Sequence, residues 1–369
     1  MDNVYVFKQD SYDNCDQCIQ NLVNYFDILK NIKKGTKVVI KANLVSAMLP
    51  NRNATTNYKL LSSLTKYLLH KGCNVVIGDS PGGLYNKNHL DKIYTTTKVN
   101  LTGAQLNDNF EVKVASFSKA KVLKNFEYTA YLDDADIKIN FCKLKTHAMM
   151  LMSSAVKNLF GCIPGFTKTE YHYRYPNHKD FANMLIDINE YFKFDINIVD
   201  AVYGMEGNGP TNGNSKKIGL VLASTNPYAL DYICAKIINL NPLDVLTVRE
   251  SKNRNLFNIN NINVNINIDN LVVKDFKNIS HISDIKFYNN SFVGKVVKKI
   301  FDNKPYCYKN KCIGCKKCAN ICPKKAITMV NNKPKINRNK CIKCYCCQEF
   351  CPVNAMRVKS SFLNKIINR

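Results

Sequence analysis

Two stretches near the C-terminus carry the strongest chemical signal. CIGCKKCANICP (312–323) and CIKCYCCQEFCP (341–352) are one motif written twice. The first reads Cys312, Cys315, Cys318, Cys322 and Pro323, a C-x2-C-x2-C-x3-C-P run. Applied to the second, that spacing selects Cys341, Cys344, Cys347, Cys351 and Pro352, because using Cys346 would give gaps of one and four. Cys346 is therefore spare, a small apolar filler or a thiol beside the ligands. Three thiolates on a tight loop can grip three irons of one cubane, and the fourth cysteine points at the other cluster. The expected ligand sets are Cys312, Cys315, Cys318 and Cys351 for one cluster, and Cys341, Cys344, Cys347 and Cys322 for the other. Soft thiolates also suit zinc, but zinc ribbons pair two C-x2-C knuckles without the third cysteine and the C-P ending.

A chain of 369 residues that is 46% hydrophobic can bury a sizeable core and suggests more than one domain. Ten of its sixteen cysteines fall between Cys307 and Cys351. That local pile-up, with no basic and apolar leader in MDNVYVFKQDSYDNCD, argues against a disulfide scaffold. No apolar run approaches the ~18–20 residues that span a bilayer, so a cytoplasmic protein without a membrane segment is expected. The net charge is +25, and residues 301–369 supply thirteen Lys and three Arg against Asp302 and Glu349. Lys, Asn and Ile are abundant throughout, so the overall charge is weak evidence for nucleic acid. The basic end also lacks interleaved aromatics beyond Tyr306, Tyr308 and Tyr345. No nucleic-acid partner is expected.

The elements that would position a site alternate β and α signals over the first ~275 residues, which argues for an α/β fold. Strands are expected at 36–45, 73–83, 135–147, 194–210 and 216–224, with a last one at 271–276. A helix is expected at 57–72, stopped by Gly72, and another from Asn226-Pro227, a good N-cap and N1 pair. SFVGKVVKKIF (291–301) has one apolar and one basic helical face. The expected organisation is an α/β domain (1–280) with a mostly parallel sheet and flanking helices, a linker (281–304), a small α+β module holding two [4Fe–4S] clusters (305–360) and a basic tail (361–369).

Four polar stretches fall at or just past the C-terminal ends of these strands. They are Lys41 and Asn43; Asp79, Ser80, Gly82 and Gly83; Lys143, Lys145, Thr146 and His147; and Asp200, Gly204, Glu206, Gly207 and Gly209. That edge is where open parallel sheets bind ligands. No G-x-G-x-x-G or P-loop pattern is present, so nucleotide binding is weakly supported. VKNLFGCIPGFTK (156–168) reads as a helix with a Gly stop. Cys15-x-x-Cys18 could be a redox pair, but it sits in a helical pattern.

The doubled cysteine motif closely resembles the bacterial two-cluster ferredoxin over roughly 305–360, with PKKAITM (323–329) and PVNAMRV (352–358) resembling that family's short helix and strand after each motif. The resemblance implies low-potential electron transfer. Free-standing members are typically acidic, whereas this module is basic, which suits an acidic electron donor as redox partner. KANLVSAMLPNRNATTN, GDSPGG, KLKTHAMMLMSSAVKNLFGCIPGFTKTEYH and DAVYGMEGNGPTNG resemble a prokaryotic family of uncharacterised iron–sulfur centre proteins over about 35–240. That resemblance implies a redox role in anaerobes. Carried over by motif, its candidate site residues are Lys41, Asn43, Asp79, Lys143, Lys145, Thr146, His147, Lys157, Asn158, Lys168, His172, Asp200, Glu206 and Asp231.

The leading functional expectation is a two-part oxidoreductase. Lys41, Lys143, Lys145, Lys157 and Lys168 would hold a small anionic substrate. His147 would donate or accept a proton at a pKa near neutrality. Asp79, Asp200 or Glu206 would orient it or hold a metal. The alternatives are a non-enzymatic electron carrier or adaptor docking a partner redox enzyme, and a cluster or cofactor maturation factor.

Overall fold

The computed structural model describes residues 1–279 and 303–359. The expected amphipathic helix at 291–301, nearly all of the linker and the basic tail lie outside the described residues. The strands of the large domain are β1 (Asp2–Lys8), β2 (Lys37–Lys41), β3 (Asn74–Gly78), β4 (Gln105–Leu106), β5 (Val112–Ser116), β6 (Asn125–Thr129), β7 (Ile137–His147), β8 (Leu151–Ser153), β9 (Ile196–Glu206), β10 (Asn214–Ser224) and β11 (Ile262–Val264). Nine of them form one sheet in the order β11-β1-β10-β9-β7-β2-β3-β4, with β8 folded back on β7. The β1–β11, β2–β3, β2–β7, β3–β4 and β7–β9 pairs are parallel, and β1–β10, β9–β10 and β7–β8 are antiparallel. The fold is therefore α/β on a mixed, mostly parallel sheet.

Alternation along the central strands sends neighbours to opposite cores, as the pleat requires. Val38 and Ile40 pack with the helices Cys15–Val23, Tyr58–His70 and Lys87–Thr97, whereas Val39 faces the helices His178–Phe192 and Pro227–Ile237. Both faces are covered, which is why β2, β7 and β9 read as near-continuous apolar runs. Two helix starts follow from the sequence. Asn57 accepts from Lys59 N at 2.9 Å, and Asn226 accepts from Tyr228 N and Ala229 N at 2.9 and 3.2 Å. Gly72 ends its helix region at φ +78, a left-handed value that favours glycine.

The expected strand at 271–276 is a correction. Asp269–Leu271 is a short 3-10 turn, and the edge strand is β11, whose alternating Ile and Val pack beside β1. The single helix expected over 156–168 is also divided. A short helix Ala155–Asn158 runs into a 3-10 turn, Leu159–Cys162, and a separate helix Thr167–Arg174 follows.

The C-terminal module contains β12 (Lys304–Cys307), β13 (Ile327–Val330), β14 (Lys333–Ile336) and β15 (Met356–Lys359). β12 pairs with β15 and β13 with β14, both antiparallel. Strands β13 and β15 follow the two cysteine runs, but the helices Lys317–Asn320 and Cys346–Glu349 lie inside the runs rather than after them. In each run the third cysteine rides on that helical turn.

The module is docked on the large domain through the β9–β10 connection, 207–213. Asn212 Nδ2 donates to the carbonyls of Gln348 and Cys351 at 3.1 and 3.4 Å, and Thr211 Oγ1 donates to that of Glu349 at 3.0 Å. Gln348 Nε2 returns two bonds of 2.9 Å to the Asn208 and Gly209 carbonyls. Asn208 Nδ2 donates to Asn354 Oδ1 at 3.0 Å, and Lys324 lies 4.0 Å over the Tyr173 ring. Gly82 takes the Phe350 ring directly, with Cε1 and Cε2 at 3.2 and 3.3 Å from where a Cβ would stand. No helix of the described residues is long and apolar enough to cross a membrane.

Candidate functional site

The C-terminal ends of β2, β3, β7 and β9 carry Lys41, Lys143, Lys145, His147, Asp79, Asp200 and Glu206, and the helices Ala155–Asn158 and Thr167–Arg174 add Lys157, Lys168 and His172. Much of this charge is already spent on internal pairing. Lys41, the last residue of β2, lies 2.6 Å from Asp79 Oδ1 and donates to Ala42 O at 2.7 Å and Asn158 Oδ1 at 3.2 Å. Asp79 also accepts from Leu44 N and Ser80 N at 2.7 and 2.9 Å. Gly161 allows this pair, because any Cβ there would run into Asp79 Oδ1 and Lys41 Nζ. Lys143 and Asp200 face each other across β7 and β9, 3.0 Å apart and both fully buried. Tyr12 bridges them, 2.5 Å from Lys143 Nζ and 2.9 Å from Asp200 Oδ1, and Asn57 N adds a 2.9 Å bond to Asp200. Burial holds the Lys143 ammonium below the ordinary lysine range, with Asp200 pulling the other way.

The remaining lysines are held differently. Lys145 Nζ donates to Asn43 Oδ1 at 2.8 Å and Ala54 O at 2.7 Å. Burial, helped by the nearby Lys157 charge, brings it down to about 7. Lys168 donates to the Ser80 and Ile163 carbonyls, and burial brings it to about 7 as well. The half-buried Lys157 ammonium has no side-chain hydrogen bond or ion pair among the described residues and rests 5.4 Å from the Phe160 ring centroid.

His147, at the end of β7, is the meeting point of the two parts of the chain. Its Nδ1 accepts from Met149 N and Met150 N, each at 3.1 Å, which places the ring proton on Nε2. Nε2 lies 2.9 Å from Glu349 Oε1 of the module. Burial first, then Lys157, pushes His147 down to about 4, against the pull of Glu349. The expectation of a near-neutral pKa is therefore corrected, since the ring is a neutral Nε2–H donor at physiological pH. Burial alone would raise Glu349, but His147, Lys157 and His172 outweigh it and hold the carboxyl at about 2. His172 stacks on Phe181 with ring centroids 4.5 Å apart, and burial lowers it to about 3.

The expected orienting acids do not face His147. Asp79 and Asp200 are committed to Lys41 and Lys143, and Glu206 accepts from Lys277 N at 3.0 Å. Among the described residues no three or more His, Cys, Asp or Glu side chains converge as a single-ion site. Thr146 Oγ1 holds the Gly207 carbonyl at 2.9 Å, Asn158 links Lys41, Asn43 and Asn140, and Asp231 accepts from Ala155 N and Val156 N at 2.8 and 3.2 Å, capping the Ala155–Asn158 helix. These three shape the edge rather than line it. Cys15 and Cys18 are buried in the Cys15–Val23 helix, and burial pushes both thiols to about 12, unlike a reactive pair. Glu349 is the residue that motif reading missed. The available signal was its rarity, as one of two acids among sixteen bases in 301–369.

The thiols of the module fit an iron–sulfur group. Cys312, Cys315, Cys318 and Cys351 line one cavity, closed by Ile313, Met329, Pro334, Val353 and Met356. Cys341, Cys344, Cys347 and Cys322 lie within mutual electrostatic reach as a second set. Backbone N–H groups already point at sulfur. Ala326 N donates to Cys322 Sγ at 3.2 Å, and Ala355 N and Met356 N donate to Cys351 Sγ at 3.2 and 3.4 Å. Such donors stabilise negative charge on a thiolate cluster. Cys315 is exposed, whereas Cys347 is buried among Cys307, Cys318 and Met356, and Cys344 beside Ile321 and Cys346.

An α/β sheet with a thiol-rich module seated on its strand edge defines an iron–sulfur protein. Residues 311–355 match the 4Fe-4S dicluster domain. Residues 38–236 match the Domain of unknown function (DUF362), and the chain belongs to that family. A relative, the thylakoid-associated protein sll1697 of Synechocystis sp., is 29% identical over 223 residues, 59% of this chain and 67% of its own length. Among solved structures, the lactate racemase apoprotein from Thermoanaerobacterium thermosaccharolyticum superposes at a TM-score of 0.40 and 11% identity, covering 61% of this chain. That match spans about half, 54%, of the racemase chain.

Proposed function

We propose that the protein is an iron–sulfur oxidoreductase that passes single electrons through two [4Fe–4S] clusters to a small anionic substrate at the strand edge of the large domain. One observation carries this reading. The second cysteine run sets Glu349 and Phe350 directly against His147 and Gly82, and Cys347 shares one helical turn with Glu349. When bound, the clusters supply electrons one at a time. Cys312, Cys315, Cys318 and Cys351 would hold one cluster, and Cys341, Cys344, Cys347 and Cys322 the other.

The large domain supplies the rest. Lys157 attracts the anion, His147 Nε2–H donates a hydrogen bond to it, and the Lys41–Asp79 and Lys143–Asp200 pairs fix the strand ends. The exposed Cys315, which shares a cavity wall with the exposed Lys316 and Lys317, suits an acidic one-electron carrier as the redox partner, since complementary charge speeds encounter.

The test is anaerobic. Full-length protein with its clusters reduced is mixed with a panel of small acids while cluster absorbance is followed. Reoxidation by an acid that slows at least about tenfold in His147→Gln and Lys157→Met supports the reading. Reoxidation equally fast in both variants, with clusters intact, places the chemistry elsewhere.

A further inference from the structure

The side chain of Glu349 sits among groups whose bonding it leaves incomplete. His147 is 1% exposed and His172 4%. Even so, His147 Nε2 and Glu349 Oε1 meet only each other, 2.9 Å apart, and His172 Nδ1 is buried without a hydrogen-bond partner. Lys157 stands beside them with its ammonium unpaired among the described residues. Native structures rarely leave buried polar atoms unpaired, and such a group asks for an explanation, commonly a missing ligand.

Nor does docking require this carboxylate. The module is held by bonds to the main-chain carbonyls of Gln348, Glu349 and Cys351, by the Gln348 amide and by the Asn208–Asn354 contact. The backbone of Glu349 is thus fixed independently of its side chain. That side chain retains 17% exposure, so it has room to turn outward.

We propose that His147, His172 and Lys157 form a receptor for the carboxylate of a small carboxylic acid, and that Glu349 is its built-in occupant. A substrate carboxylate displaces the Glu349 side chain and takes over the Nε2–H of His147 and the Lys157 ammonium, while the backbone at 348–351 stays in place. The class follows from the occupant, since the pocket already accepts a planar two-oxygen anion and offers one cation and two imidazoles to it. This rests on the reading that the strand edge is the substrate site, and it adds which anion is taken and what guards the place.

A tethered carboxylate competes at high effective concentration, so removing it should expose the receptor. The experiment uses full-length, cluster-loaded protein under anaerobic conditions, with iron content checked for every variant. Acetate is titrated calorimetrically and by its effect on melting temperature. Glu349→Ala is expected to bind acetate at least about tenfold more tightly than the parent. The gain should vanish in Glu349→Ala/Lys157→Met, and inorganic phosphate should bind more weakly than acetate. Should Glu349→Ala lose its clusters, Glu349→Gln keeps the shape without the charge and is expected to show a smaller gain of the same sign. Equal acetate affinity in the parent and the variants, or phosphate binding more tightly than acetate, overturns the proposal. Acetate gain without cluster reoxidation by any acid would retain the receptor and sink the reductase reading; turnover without acetate gain would do the reverse.

Discussion

Removing one member of the Lys143–Asp200 pair should cost far more than removing both. The two side chains are 0% exposed and 3.0 Å apart, so at an effective dielectric of about 20 their attraction is roughly 5–6 kcal/mol. Desolvation opposes most of that, but a single truncation strands the surviving charge in the core and costs about 3–5 kcal/mol. Asp200→Ala also leaves Tyr12 OH and Asn57 N without their acceptor. Lys143→Met and Asp200→Leu together remove both charges, and such replacements of a buried pair are often near neutral. The assay is a double-mutant cycle by urea unfolding of cluster-loaded protein, read by circular dichroism. Each single variant should lose about 3–5 kcal/mol, with the double losing much less than their sum. Single variants within 1 kcal/mol of the parent, or strictly additive losses, would refute the claim that the pair is a structural brace.

Three further outcomes are expected. Cys346→Ser should keep about eight irons per chain, whereas Cys347→Ala should fall to about four, as measured by iron analysis and visible absorbance. Gly82→Val should drive Phe350 off the GDSPGG turn and cost about 1–3 kcal/mol of packing, seen as faster proteolytic release of the module with both clusters retained. His172 has a folded pKa of about 3 against an ordinary 6.5, so the unfolded chain takes up its proton first as pH falls. The resulting stability is complete above about 6.5 and is lost progressively toward about 3. His172→Gln should flatten the acid side of the stability profile measured by urea unfolding between neutral and mildly acidic pH.

The central strands were legible because both faces are covered, so VVI, INFC and INIVDA read as buried runs and their polar followers mark one edge. The dicluster module was legible because the spacing of its two cysteine runs is local. β1 was harder, since an Asn- and Asp-rich background hides its alternation, and the edge strand β11 is three residues long. LVVKDF has strand composition, but the chain has already left the sheet there and Phe276 packs into the core instead. Within the site, Lys41 and Lys143 looked like free cations because their carboxylate partners lie 38 and 57 residues away. The approach of Glu349 to His147 spans 202 residues and two domains, which no motif spacing encodes.

The β9–β10 hairpin has a consequence for how the molecule tolerates change. Its two arms are eleven residues each and belong to the main sheet, and its tip holds the main-chain carbonyls of Gln348 and Cys351. The separation between cysteine and strand edge is therefore gauged by a rigid ruler that grows out of the main sheet. One residue inserted at the hairpin tip would reset the span between the cysteine runs and the strand edge.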